Sequence, residues 1–305
     1  MLTINVERYL SLRQALGLKL TDLTKILLNY ARFASARGDT HITVSSATAW
    51  SDLAPSPSAR SIRMHQVVRL AQFLHAEDTL HEVPSLVPFH HVYVRPLPYI
   101  YAPEEISRII AATSGLEKCY PLRKVTYATL VGLIAATGLR VSEALNLRFG
   151  DVQEDGRVLQ IYRTKFGKSR LVPLHPSVTV ALGRYLERRR KITTTDDDHV
   201  FISAHGRRIA SSTVLHTFHL LVKRAKIAPE RNRRPRIHDL RHTFATRALE
   251  KCAGDRLAIA RHFLALSTYL GHIDLKSTYW YQEATPELMT EIAAAGETLA
   301  MGGVQ

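Results

Sequence analysis

At 305 residues the chain has room for two ordinary domains, and 46% hydrophobic with 22% charged residues is the composition of a folded soluble protein and argues against disorder. A formal net charge of +14 and a pI near 10.0 point to a polyanionic partner, because a basic surface gains free energy by releasing counterions from phosphates. Two cysteines, Cys119 and Cys252, exclude a disulfide framework and lack metal-ligand spacing; with no signal pattern and no apolar run beyond Ala128 to Leu139, a cytoplasmic protein without membrane contact is expected.

The first ninety residues read as helical: apolar positions recur at three and four, as in Leu23, Ile26, Leu27, Tyr30 and then Val67, Leu70, Ala71, Leu74. Through His90 there are nine Lys/Arg against seven Asp/Glu, so +12 of the +14 belongs to the rest of the chain. Val83 to Pro98 carries Pro84, Pro88, Pro96 and Pro98 and is predicted to be a linker, with the domain boundary inside it and 91–98 as its Pro-rich stretch. Ala102-Pro103-Glu104-Glu105 has the form of a helix start, with proline in the first turn and acids where the helix dipole favours them.

Helices are expected up to Gly138, a C-terminal stop. Arg157 to Tyr162 and Arg170 to Leu174 are β-prone runs flanking Thr164-Lys165-Phe166-Gly167-Lys168, which predicts a hairpin with a basic tip. Ser211 or Ser212 is predicted to cap a helix to about Lys226, with Leu215, Phe218, Leu221 and Val222 on its buried side. Arg231 to Arg236 is too charged to bury. Residues 286–305 read as a terminal helix with Ile292, Ala295 and Leu299 on one face. The fold class is mainly α with a small β-hairpin.

Several residues along this frame carry chemistry. Arg140, between the helix that ends at Gly138 and the next one, can hold two phosphate oxygens; the plain alternative is a surface arginine paired with Glu143 at i+3. In His238-Asp239-Leu240-Arg241-His242, positions 238, 241 and 242 share one helical face while Leu240 points to the core. Spacing leaves open which histidine faces a site, and His242, followed by Phe244 and Ala245, has the surroundings of a packed residue.

His272 and Tyr281 lie nine residues apart, about 180° on one straight helix, so they share a site only if the chain bends after Gly271. Asp274, Ser277 or Thr278 can cap a new helix there. Tyr279 and Tyr281 are about 200° apart, so only one of them can be a nucleophile. Lys165 can protonate a leaving oxygen from the hairpin tip; a solvated turn lysine is the alternative, and Lys168 competes for the role.

Taken together, Thr-Gly-Leu-Arg-Val-Ser-Glu-Ala-Leu at 137–145, the Lys165 hairpin leading into Arg170 to Leu174, His-Asp-Leu-Arg-His at 238–242, Leu-Gly-His at 270–272 and Tyr281 resemble the tyrosine recombinase (phage integrase) family. The motifs fall in the family's order and span most of residues 98 to 285. The resemblance implies a helical, SAM-like core-binding domain over 1–90 and a mixed α/β catalytic domain with a small three-stranded sheet over 99–285. For 286–305, a terminal helix of the kind that most often docks on its own domain, it implies a second role, swapping onto a neighbouring protomer.

On the same grounds Arg140 and Arg241 would clamp the non-bridging oxygens, His238 and His272 would assist hydrogen bonding and proton transfer, and Lys165 would be the general acid. Tyr281 would be the nucleophile that becomes a 3'-phosphotyrosine. Implied partners are double-stranded DNA, a homo-tetramer in the synaptic complex and sister recombinases; the Ala284 to Leu288 tail leans towards a recombinase carried by a mobile element. Residues 251–255 look like an insertion relative to compact family members, and His262 nearby is read as a bystander.

Attack by a phenol stores the phosphodiester as an aryl phosphate that a free hydroxyl can attack later, so no nucleotide energy source is needed. No Gly-rich phosphate loop and no carboxylate or cysteine cluster stand out in the sequence, so neither a cofactor nor a metal is expected. The rival readings are a type IB topoisomerase, a non-catalytic DNA-binding regulator on the same fold, and a metal-dependent nuclease.

Overall fold

The computed structural model describes residues 2–18, 20–89, 97–116, 120–162, 169–192, 195–228, 234–250 and 256–271. It divides into two compact units, Met1–Pro96 and Leu97–Gln305. Lys165, Lys168, His272, Tyr279, Tyr281, the 251–255 insertion and the 286–305 segment lie outside the described residues.

In the first unit α1 (Leu2–Ala15), α2 (Thr21–Ala36), α3 (Val44–Asp52) and α4 (Pro57–His75) surround one core. Thr43 opens α3 by accepting the Ser46 N–H at 3.1 Å, and Ser56 does the same for α4 with Ala59 at 3.2 Å, ahead of Pro57. The helical spacing of the sequence then packs Leu27, Tyr30, Ala31 and Ala34 with Val67, Leu70, Ala71 and Leu74 in a single buried set. Each buried leucine contributes about 2 kcal/mol relative to exposure.

Of the predicted linker Val83 to Pro98, residues 90–96 lie outside the described residues, and its first part is not free: Phe89 is buried in the first unit's core and Leu86 packs against it. At the other end, Tyr101 is buried in the second unit. Proline content marked a stretch without regular structure, but prolines do not prevent the aromatic side chains between them from docking.

The second unit contains α5 (Pro103–Ala112), α6 (Arg123–Thr137), α7 (Val141–Asn146), β1 (Val152–Gln153), β2 (Val158–Ile161), β3 (Arg170–Pro173), α8 (Pro176–Ile192), α9 (Ser211–Arg224), α10 (Ile237–Glu250) and α11 (Arg256–Leu270). The antiparallel sheet runs β1-β2-β3, with Leu159 opposite Val172 and Ile161 opposite Arg170. Helix α6 is apolar on most of its circumference and is the centre of the core. Its Leu130, Val131, Leu133 and Ile134 are buried with Leu159 and Val172 of the sheet, Leu182 and Tyr185 of α8, Phe218 of α9 and Leu240 of α10.

Helix α9 corrects the sequence in two details. Ala210 precedes its first turn with no side-chain cap, and Leu215 is 44% exposed while Val214 is buried. The buried set is Val214, Thr217, Phe218, Leu221 and Val222, a repeat of three and four that begins one residue earlier and leaves Leu215 on the far edge. Among the described residues, no helix is long and apolar enough to cross a membrane.

Candidate active site

Helix α6 stops at Gly138, whose φ of +64° closes the last turn by a hydrogen bond from its N–H to the Ile134 carbonyl at 2.9 Å. There is also no room for a side chain: a Cβ here would lie 2.6 Å from Phe244 Cδ1 and 3.1 Å from Leu270 Cδ2. Backbone strain and overpacking should together make Gly138→Ala about 2–4 kcal/mol less stable, read as a lowered urea midpoint. An unchanged midpoint would contradict this close approach of α6, α10 and α11.

Two residues on, Arg140 caps α7 with extended backbone. Glu143, one turn into α7, reaches back to the Arg140 N–H at 3.0 Å and to Nη1 at 2.7 Å. The i+3 pair considered as the plain alternative therefore exists. Arg140 is still partly open to solvent, and its Nη2 points to the Gly271 carbonyl at 3.4 Å.

Glu143 has a second guanidinium that the sequence analysis did not single out. Arg170, the first residue of β3, donates from Nη1 to Oε1 at 3.1 Å and from Nη2 to Oε2 at 2.8 Å. Burial opposes ionisation of Glu143, but these bonds and charges, Arg170 first and then Arg140, outweigh it and hold the carboxyl at about 2. Glu143 therefore stays ionised in the folded chain at any ordinary pH.

Helix α10 supplies His238 and Arg241. Arg241 is only 1% exposed; its Nη1 donates to the Gly138 carbonyl at 2.6 Å and its Nη2 to the Leu270 carbonyl at 2.7 Å. The α10 start is fixed by Asp239, which accepts from the Arg236 N–H at 2.8 Å and from Nη2 at 2.7 Å. Leu240 points into the core, as expected. His242 is buried, with its ring 4.8 Å from that of His238 in an edge arrangement, which matches a packed residue.

His238 is the histidine of this pair that reaches solvent. Desolvation by the surrounding chain, then the charges of Arg241, Arg236 and Arg140, lower its pKa from 6.5 to about 4, against an opposing pull from Asp239. Desolvation and the guanidinium charges act in the same direction, and water on the open side weakens the first of them. A folded-state value below the unfolded one means that the unfolded chain binds more protons between about 4 and 6.5. His238 should therefore lower stability as pH falls through that window and have no such effect above it. An NMR titration of the His238 ring should give a midpoint well below 6.5; a midpoint at 6.5 would contradict this combination of desolvation and guanidinium charge.

The structure thus brings Arg140, His238 and Arg241 together around the end of α11. That helix stops at Leu270, and Gly271 follows with φ +67°. His262 donates from Nε2 to the Ala248 carbonyl at 2.7 Å and ties α11 to α10, in keeping with a bystander. Where Lys165, His272 and Tyr281 stand relative to this group lies outside the described residues.

Two groups with metal-ligand chemistry gather elsewhere: His41, Asp78 and His81, brought together by the fold, and the consecutive Asp197, Asp198 and His199, a run the sequence reading passed over. Their atoms already have work within the fold. His81 Nδ1 accepts the Ile42 N–H at 3.1 Å; Asp198 takes Arg148 with both oxygens, and Asp197 accepts the His199 and Arg208 N–H groups at 2.9 and 3.0 Å. These contacts give both groups a structural role.

Comparison with known proteins gives a consistent picture. The phage integrase family matches residues 101–287. The integrase/recombinase y4rB of Sinorhizobium fredii is 37% identical over 297 residues, 94% of either chain. The tyrosine recombinase XerD of Caulobacter vibrioides is 31% identical over 78% of this chain and 74% of its own. In fold, the integrase of transposon Tn1549, solved with transposon right-end DNA, aligns over 99% of either chain with a TM-score of 0.66 and 18% identity.

Proposed function

Because this chain belongs to the phage integrase family, we propose that it is a site-specific DNA recombinase working through a 3'-phosphotyrosyl intermediate at Tyr281. The observation that carries the site assignment is the meeting of Arg140 and Arg241 at adjacent carbonyls, Gly271 and Leu270, immediately before His272 in the sequence. Guanidiniums fixed in advance on a rigid helix end stabilise the charge of a pentavalent phosphate without reorganising during the reaction.

In this reading Arg140 and Arg241 hold the non-bridging oxygens. The Tyr281 oxygen bonds to phosphorus as its proton passes to a histidine, the P–O5' bond breaks, and the 5' oxygen leaves with a proton from Lys165; a 5' hydroxyl later reverses the exchange and frees the phenol. His238, held neutral by its neighbours, can accept or donate a hydrogen bond, and His272 assists. A phosphate brought into the site offsets the guanidinium charge around His238, so its pKa rises on DNA binding.

Double-stranded DNA is the partner that the +14 charge calls for. The first unit is assigned a DNA-binding role, and the assembly is four protomers on two duplexes, coupled by residues 286–305. Likeness to a transposon integrase supports carriage by a mobile element; sister recombinases as partners and the cytoplasm as the place of action complete the proposal. The test is a two-site joining assay in chelator: recombined products support the recombinase. Relaxation of supercoils without joining supports a topoisomerase, and loss of all activity supports a metal-dependent nuclease.

A further inference from the structure

The end of α11 has an unusual set of partners. Its last carbonyls, Tyr269, Leu270 and that of the following Gly271, are each taken by a different arginine: Arg170 through Nε at 2.7 Å, Arg241 at 2.7 Å and Arg140 at 3.4 Å. These arginines come from β3, from α10 and from the α6–α7 junction. Three like charges repel, and what holds them together is the negative end of the helix dipole with its unpaired carbonyls, plus the single carboxylate of Glu143.

Arg170 closes this arrangement. It uses Nε on α11 and both terminal nitrogens on Glu143, so one planar fork joins β3, α7 and α11. Gly271 fits against it so closely that a Cβ there would lie 3.0 Å from Arg170 Nη1. The Arg170 side chain is only 11% exposed, compared with 25% for Arg140. With Nε engaged by the Tyr269 carbonyl and both terminal nitrogens by Glu143, it is placed to act on its neighbours.

We propose that Arg170 is a positioning residue of the strand-transfer site, which occupies Glu143 so that Arg140 stays available to phosphate and which fixes the end of α11. Each Glu143 oxygen receives two donors, one from Arg140 and one from Arg170. Without Arg170 the carboxylate has Arg140 as its one remaining guanidinium and draws it away from the phosphate, while the Tyr269 carbonyl loses its donor. A displacement of this kind lowers the rate of the chemical step with little change in DNA affinity.

This inference rests on the recombinase reading, so the experiment separates the two. Single-turnover formation of covalent protein–DNA adduct and DNA affinity are measured for wild type, Arg170→Gln, Arg170→Lys, Glu143→Gln and the Glu143→Gln/Arg170→Gln pair, below every variant's melting range. Arg170→Gln should slow adduct formation about 10- to 100-fold with affinity within about twofold. Arg170→Lys should recover little, because one ammonium cannot span two carboxylate oxygens and a carbonyl. In the double variant the two losses should be less than additive.

Wild-type rates in Arg170→Gln, fully additive losses, or a loss that follows affinity would each overturn the proposal. A second readout needs no chemistry: the side-chain Nε resonance of Arg140 should move in Arg170→Gln, and an unmoved resonance counts against the role. If wild type forms no adduct, it is the recombinase reading that fails, and the Arg140 resonance still decides the positioning role.

Discussion

Arg241→Ala is expected to lower unfolding free energy by about 3–5 kcal/mol and to leave strand cleavage below detection. The side chain is 1% exposed and holds the carbonyls of Gly138 and Leu270. Removal leaves two buried acceptors short of a donor, about 1–3 kcal/mol each, and opens a cavity beside them. The total is a large share of the roughly 5–15 kcal/mol that holds a domain folded.

Arg241→Lys separates folding from chemistry. An ammonium keeps the charge and can serve one of the two carbonyls, so the variant should fold. It cannot present a planar pair of donors to a phosphate while bound to the chain, and cleavage should fall about 100- to 1,000-fold. Urea unfolding with single-turnover cleavage checks both parts. Wild-type cleavage by a folded Arg241→Lys would mean that Arg241 only holds the helices together.

Tyr281→Phe should have the largest effect on chemistry and almost none on folding. It removes one oxygen, the proposed attacking atom, so strand exchange should fall by on the order of 10⁴-fold or more while DNA affinity stays unchanged. Tyr279→Phe is the control, expected within a few-fold of wild type. If the control loses activity and Tyr281→Phe keeps it, the nucleophile is Tyr279.

Local signals in the sequence were the legible ones. Pro103 at the first turn with Glu105 reaching the Ala102 N–H at 2.9 Å, Gly138 as a stop, and the β2–β3 pair all follow from rules that operate over a few residues. The direction of Leu240 followed from helical spacing in the same way. Leu215 shows the limit of that approach: an apolar stripe can start one residue either way, and the core decides which.

What the sequence left hidden depends on contacts far apart in the chain. Arg170 meets Glu143 and Tyr269 from 27 and 99 residues away, and nothing in a β-prone run beginning with arginine announces this. The motif led to Arg241 as an expected phosphate ligand, but not as a buried tie between α6 and α11, since charged side chains are seldom so enclosed. Phe89 and Tyr101 were similarly obscured by the prolines around them.

The most direct measurement of the central claim is a mass map of the protein after it has met DNA. The wild-type chain is mixed with a randomised, nicked duplex library, denatured in detergent, and digested with nuclease and protease. The account predicts a nucleotide attached through a 3'-phosphate to the peptide containing Tyr281, at the phenolic oxygen, and DNA ends that share one sequence motif. Tight binding with no nucleotide on any peptide, or attachment at a residue other than Tyr281, would contradict it.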